Sequence, residues 1–166
     1  PGHRPMQSER VAPEKSVLGP PLSEQDHAEW TTAFESGRRW LDAGQFQQAV
    51  SDLDRAARLA PLHAETDFLL GKAYEGLEKW DKARQSYRLA CDKDAHPIRC
   101  LSWVNEAIRD IAAEESALLV DMDQVFARRS EHGLVGFNLV EDYVHPTLEG
   151  HQLIAWELWQ AIERTG

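Results

Sequence analysis

The sequence predicts a mainly α-helical fold: tandem helical hairpins in an α–α superhelix, then an incomplete α/β unit with one or two short strands and a C-terminal helix. Three observations predict it. Apolar residues recur at helical spacing in four short stretches between positions 30 and 91, with Gly or Pro between them. The same order of small and large residues returns after 34 positions. Beyond position 97 the pattern changes to a compact apolar run ending in an acid, and a long helical stripe closes the chain.

Composition sets outer limits. The chain has 166 residues, 42% hydrophobic and 28% charged, which suits one domain or two small modules with a packed core. Lys and Arg number 18 against 28 Asp and Glu, a formal net charge of −10. With no Lys/Arg run longer than two residues, nucleic acid and anionic membrane surfaces are poor partners. No apolar stretch approaches the ~20 residues of a membrane span. No secretory signal pattern opens the chain. The first residue is Pro1, which fits either a trimmed Met or a piece of a longer polypeptide.

Two cysteines, Cys91 and Cys100, exclude a disulfide-rich scaffold and an all-thiolate metal site. A bridge between them is sterically possible; a pair of small buried hydrophobes is the plainer reading. No residue pattern calls for a cofactor or a metal. The histidines outside the C-terminal motif are scattered, and the spacing of His145 and His151 is not a dependable ligand spacing.

The elements follow in order. Residues 1–27 hold five of the eight prolines and no sustained period, the profile of a linker or tail with local order near Val17–Leu22. Residues 28–96 carry two helical hairpins. The first helix is expected from about Trp30 to Ala43, the second from Phe46 to Leu59, the third from Ala64 to Leu77 and the fourth from Trp80 to Cys91. A shift of 34 residues lays Gly37 on Gly71, Trp40 on Tyr74, Phe46 on Trp80, Ala49 on Ala83, Leu53 on Tyr87 and Ala56 on Ala90. Small residues mark close helix crossings, and the aromatic ones are expected to be core packing. This period and order resemble the tetratricopeptide repeat. Leu70, Gly71, Tyr74, Ala83 and Tyr87 fit that family in the second repeat, with Asp67 where a Trp is usual; Gly37, Ala49, Ala56 and Pro61 fit in the first.

The resemblance implies that the first helix of each pair lines a concave face, with Phe34, Arg38 and Leu41 beside Phe68, Lys72 and Glu75. Arg38 and Lys72 share one repeat position. Flanked by Phe34 and Phe68, they are the candidate site for a protein or peptide partner with a carboxylate and an apolar side chain. The plainer alternative is a pair of solvated charges with acidic neighbours. Two hairpins need a lid, and the helix at about Leu101–Glu115 is the expected one, through Trp103, Val104, Ile108, Ile111 and Ala112.

Residues 97–166 form the last segment. Ala117–Asp121 has the profile of a strand buried on both faces, and Leu134–Val140 is a second extended stretch. Asp142 then precedes His145 by three residues at the mouth of a helix running from about Leu148 to Arg164. A carboxylate so placed can hold one ring nitrogen and leave the other to take a proton from a nucleophile. An Asp that stabilises a turn, followed by His-Pro opening a helix with Thr147 as cap, gives the same residues a purely structural reading. Asp142, His145, Pro146, Gly150, Ile154 and Ala155 resemble the last block of the SGNH/GDSL hydrolases, an Asp-x-x-His motif before a Gly-containing helix. The resemblance implies that Asp142 orients and His145 acts as general base in a bacterial serine esterase or acyl hydrolase, of the cytoplasm or the periplasm.

That family's Gly-Asp-Ser nucleophile block and its oxyanion donors have no counterpart in this sequence. An Asp and a His without them cannot run acyl transfer. The sequence therefore carries two functions: the acid–base end of a hydrolase whose N-terminal hydrolase segment is missing, or a non-catalytic repeat module for protein–protein interaction.

Overall fold

The computed structural model describes residues 13, 15–142 and 144–165. Of the expected tail, residues 1–12 and 14 lie outside the described residues. The chain divides into two compact units, one of Ala12–Pro97 and one that includes Ile98–Gly166.

The first unit holds four helices: α1 Glu24–Asp42, α2 Phe46–Leu59, α3 Ala64–Gly76 and α4 Trp80–Asp92. Ser23 starts α1 ahead of the start near Trp30 that periodicity gave, because its Oγ accepts from the Asp26 N–H at 3.1 Å, and Glu24 and Asp26 complement the helix dipole. The turn to α2 passes through Gly44 at φ +70°, and the turn from α3 to α4 through Glu78 at φ +57°. These are the same position of the 34-residue repeat, so the second hairpin repeats a left-handed turn without the glycine.

Each hairpin closes on a glycine. A methyl on Gly37 would meet Leu53 Cγ at 2.6 Å, and one on Gly71 would meet the Tyr87 ring at 2.6 Å. The two pairs occupy equivalent positions. Leu53, Ala49 and Ala56 of α2 and Tyr87, Ala83 and Ala90 of α4 are all buried, so small residues set the interhelical distance and large ones fill it. The hairpins join where the Phe46 ring lies on Gly76. Trp40 departs from the expected core role: it is 40% exposed, and its Nε1 donates to Asp52 at 3.1 Å.

Residues 15–22 pack on this unit. The Lys15 carbonyl accepts from Ala95 N–H at 2.9 Å, Ser16 Oγ accepts from Glu65 N–H at 2.8 Å, and Gly19 rests on Leu62. The segment spans the start of α3 and the end of α4 and satisfies one of the open N–H groups of α3.

The second unit holds α5 Ser102–Glu114, α6 Met122–Arg129, a 3-10 turn at Glu131–Gly133 and α7 Leu148–Glu163. Its small core is Val125, Leu134, Leu139, Val140 and Ala161. Two expectations are corrected here. No strand forms among the described residues; the only pairing is a single antiparallel bridge between Val140 and Pro146. Ala117–Asp121 is irregular, with Leu118 56% exposed, because a strand needs a neighbouring backbone and this run has none among the described residues. Leu134–Val140 turns back on itself, with Leu139 and Val140 N–H both donating to the Gly136 carbonyl.

α6 was not expected. Asp121, read as the end of a strand, is its N-cap: Oδ1 accepts from Gln124 N–H at 3.1 Å, and Gln124 Nε2 donates back to Oδ2 at 2.8 Å. Arg109 of α5 grips Asp121 at 2.6 Å and Asp123 at 2.7 Å, which holds the Asp121 carboxyl below its ordinary range. The helix expected as a lid, α5, buries none of its residues fully, and Trp103 is 64% exposed. On α7, Trp156 and Trp159 lean on each other at 5.1 Å and stay half exposed.

Candidate functional site

The turn between Leu139 and α7 brings the Asp-x-x-His pair together. Its base is the Val140–Pro146 bridge, flanked by Glu141 N–H to the His145 carbonyl at 2.8 Å and Thr147 N–H to the Leu139 carbonyl at 2.9 Å. Within that loop Asp142 Oδ1 accepts the N–H groups of Val144 at 2.8 Å and His145 at 2.9 Å. Its Oδ2 stands 2.7 Å from His145 Nδ1. These three bonds, the Val144 amide foremost, hold the Asp142 carboxyl down at about 2.

An ionised carboxylate only accepts, so Nδ1 carries the proton and Nε2 of the neutral ring keeps its lone pair. The His145 side chain is 74% exposed and that of Asp142 45%. Among the described residues Nε2 makes no hydrogen bond. The loop therefore presents a fixed imidazole with its basic nitrogen outward, an arrangement able to accept a proton from an incoming hydroxyl.

The loop is clamped from α7. Thr147 caps that helix, its Oγ1 accepting from Gly150 N–H at 3.1 Å and donating to the Asn138 carbonyl at 3.1 Å. Asn138 in turn bonds Gly136 N–H at 3.1 Å and Ser130 Oγ at 3.3 Å. Asn138 and Leu139 were not singled out in the sequence. They act at this clamp mainly through backbone carbonyls, which leave no side-chain signal.

The four residues proposed for peptide contact fall into two layers. Phe34 and Phe68 are buried, 5% and 8% exposed. Phe34 stacks on Trp30 at 5.1 Å and meets His63 edge-on at 5.1 Å. Phe68 packs against Tyr87 at 5.7 Å. Above them the Arg38 guanidinium lies 5.8 Å from the Phe34 ring and the Lys72 ammonium 5.9 Å from the Phe68 ring. The rings are thus floor and the cations surface, repeated in register along α1 and α3. Arg38 also pairs with Glu35 at 3.3 Å.

The hairpin geometry and the comparison with known families agree. Residues 34–97 match the tetratricopeptide repeat family. Tetratricopeptide repeats are helical scaffolds that generally mediate protein–protein interaction, and the match falls on the helical hairpins of the first unit. Among curated proteins and solved structures, none matches the chain. No group of three or more His, Cys, Asp or Glu among the described residues is placed to hold a metal ion, and none of the helices is long and apolar enough to cross a membrane.

Proposed function

We propose that this chain is the C-terminal portion of a tetratricopeptide-containing serine esterase or acyl hydrolase of the SGNH/GDSL type, supplying the acid–base pair. The observation that carries the reading is the 2.7 Å contact between Asp142 and His145 Nδ1 in a loop that leaves Nε2 outward. In the reaction, Nε2 takes the proton of a serine hydroxyl as its oxygen attacks the ester carbonyl. The imidazolium then returns that proton to the leaving alkoxide, and Asp142 keeps the ring in one tautomer throughout.

The serine and the oxyanion donors come from a hydrolase segment outside these residues. Apolar surface supports that assignment. Trp103, Ile108 and Ile111 of α5, Leu118 and Leu119 of the connector, and Trp156 and Ile162 of α7 are all exposed. Helices with such faces commonly flank a sheet.

The test is reconstitution. The upstream coding region should encode a strand followed by Gly-Asp-Ser, and the joined protein should hydrolyse a chromogenic acyl ester. His145→Ala should lower kcat/KM by at least ~100-fold. Full activity in that variant sinks the reading.

A second reading has its own observation. The repeat match and the exposed Arg38–Lys72 pair favour a docking module for an acidic partner segment, whether or not the tail is catalytic. Arg38→Ala with Lys72→Ala should then remove acidic-tailed proteins from a pulldown while the helical signal stays intact. An unchanged partner set rejects it.

A further inference from the structure

We infer that Gly150 and Thr147 are positioning residues for His145, clamping the first turn of α7 to the Leu139 backbone so that the loop between them holds the imidazole as an Nδ1–H donor. The inference rests on the reading of Asp142 and His145 as an acid–base pair and names what sets their geometry. Three observations support it.

A Cβ at Gly150 would overlap the Leu139 carbonyl oxygen and stand 3.0 Å from Pro146 Cβ. The obstruction is backbone, which cannot swing aside as a flexible side chain can. Any side chain at 150 must push α7 away from Leu139. Secondly, the Leu139 carbonyl is also the acceptor for Thr147 N–H at 2.9 Å, so this displacement breaks the bond that closes the loop. Thirdly, Thr147 Oγ1 ties the same two strands of chain, donating to the Asn138 carbonyl and accepting from Gly150 N–H, each at 3.1 Å.

A single residue, Pro146, separates Thr147 from His145, and it holds the bridge to Val140. Movement at the clamp is passed directly to the ring. His145 itself is largely exposed, and among the described residues the side chain that bonds its ring is that of Asp142. Its orientation depends on the loop and on Asp142.

The ring tautomer reads this out without any need for catalysis. A neutral imidazole free in water favours Nε2–H; one bonded to a carboxylate through Nδ1 is locked as Nδ1–H. The experiment is nitrogen-15 NMR of the histidine side chains in the full 166-residue chain, at a pH where the ring is neutral. The unmodified chain and Thr147→Ser, which keeps both hydroxyl bonds, should show His145 as Nδ1–H. Gly150→Ala and Thr147→Val should show it mainly as Nε2–H.

A Gly150→Ala protein that retains its helical signal and the Nδ1–H tautomer overturns the inference. If Gly150→Ala loses its helical signal, the Thr147 pair decides: equal tautomers in Thr147→Ser and Thr147→Val overturn it. The outcomes also separate from the hydrolase reading. A clamp-dependent tautomer with no esterase activity in the joined protein leaves the clamp standing and removes the function. Activity with a clamp-independent tautomer does the reverse.

Discussion

Glu78 occupies a left-handed backbone conformation, φ +57°, that its repeat counterpart Gly44 adopts at φ +70° with open space where a side chain would begin. The conformation costs an L side chain about 1 kcal/mol or somewhat more. Glu78→Gly should therefore raise unfolding stability, and Gly44→Ala lower it, each by about 1 kcal/mol in urea titrations. Opposite signs at one repeat position are the diagnostic result. His63 offers a pH-dependent case. It is 7% exposed, edge-on to Trp30 at 5.0 Å and to Phe34, with Nδ1 2.9 Å from Thr66 Oγ1. Burial pushes its pKa below the ordinary 6.5. The unfolded chain then binds the proton more readily, so this contribution is complete above 6.5 and is lost as pH falls through the lower folded value. Melts across that window should show stability dropping with acid, and His63→Gln should flatten this part of the profile. Neither effect is visible in residue types alone. Glu78 reads as an ordinary surface acid and His63 as one of several scattered histidines.

At the scale of elements, α6 shows how a cap decides what an apolar run becomes. Leu118 and Leu119 resemble a buried strand when read in isolation. Asp121 with Gln124 three residues on is a capping pattern, and it starts a helix with Val125 inward and Arg128 and Arg129 in the last turn. Asp121→Ala removes the cap and leaves Arg109 with Asp123 alone, so it should cost about 1–2 kcal/mol and reduce helical circular dichroism. Asp121→Asn keeps the capping oxygen, so it should recover most of the helical signal while weakening the Arg109 pair. The hairpins were more legible. Gly37 with Leu53 and Gly71 with Tyr87 stand at matching positions of the repeat and close the two helix crossings. Phe34 and Phe68 were legible as aromatic positions on α1 and α3 but not as interior ones. Which side of a helix is covered depends on the next hairpin.

For the molecule as a whole, the two units differ in how completely they bury their apolar residues. Residues 13–97 enclose Leu53, Tyr87 and a set of buried alanines, whereas the second unit leaves Trp103, Ile111, Leu118, Trp156, Trp159 and Ile162 exposed. Cut apart, residues 13–97 should melt cooperatively, and residues 98–166 should bind an apolar dye strongly and melt broadly. Weak dye binding by residues 98–166 would mean those faces are already satisfied and would remove one support from the missing-segment proposal. The sequence by itself determined the helical hairpins, their 34-residue register and the spacing that lets Asp142 reach His145, because each depends on contacts a few residues apart or on a repeated period. Only the tertiary structure decided that Ala117–Asp121 pairs with no strand among the described residues, that the Phe34 and Phe68 rings lie beneath their cations, and that a glycine at 150 lets α7 reach the Leu139 carbonyl. Those outcomes depend on which distant segments meet, and a local pattern cannot specify its own neighbours.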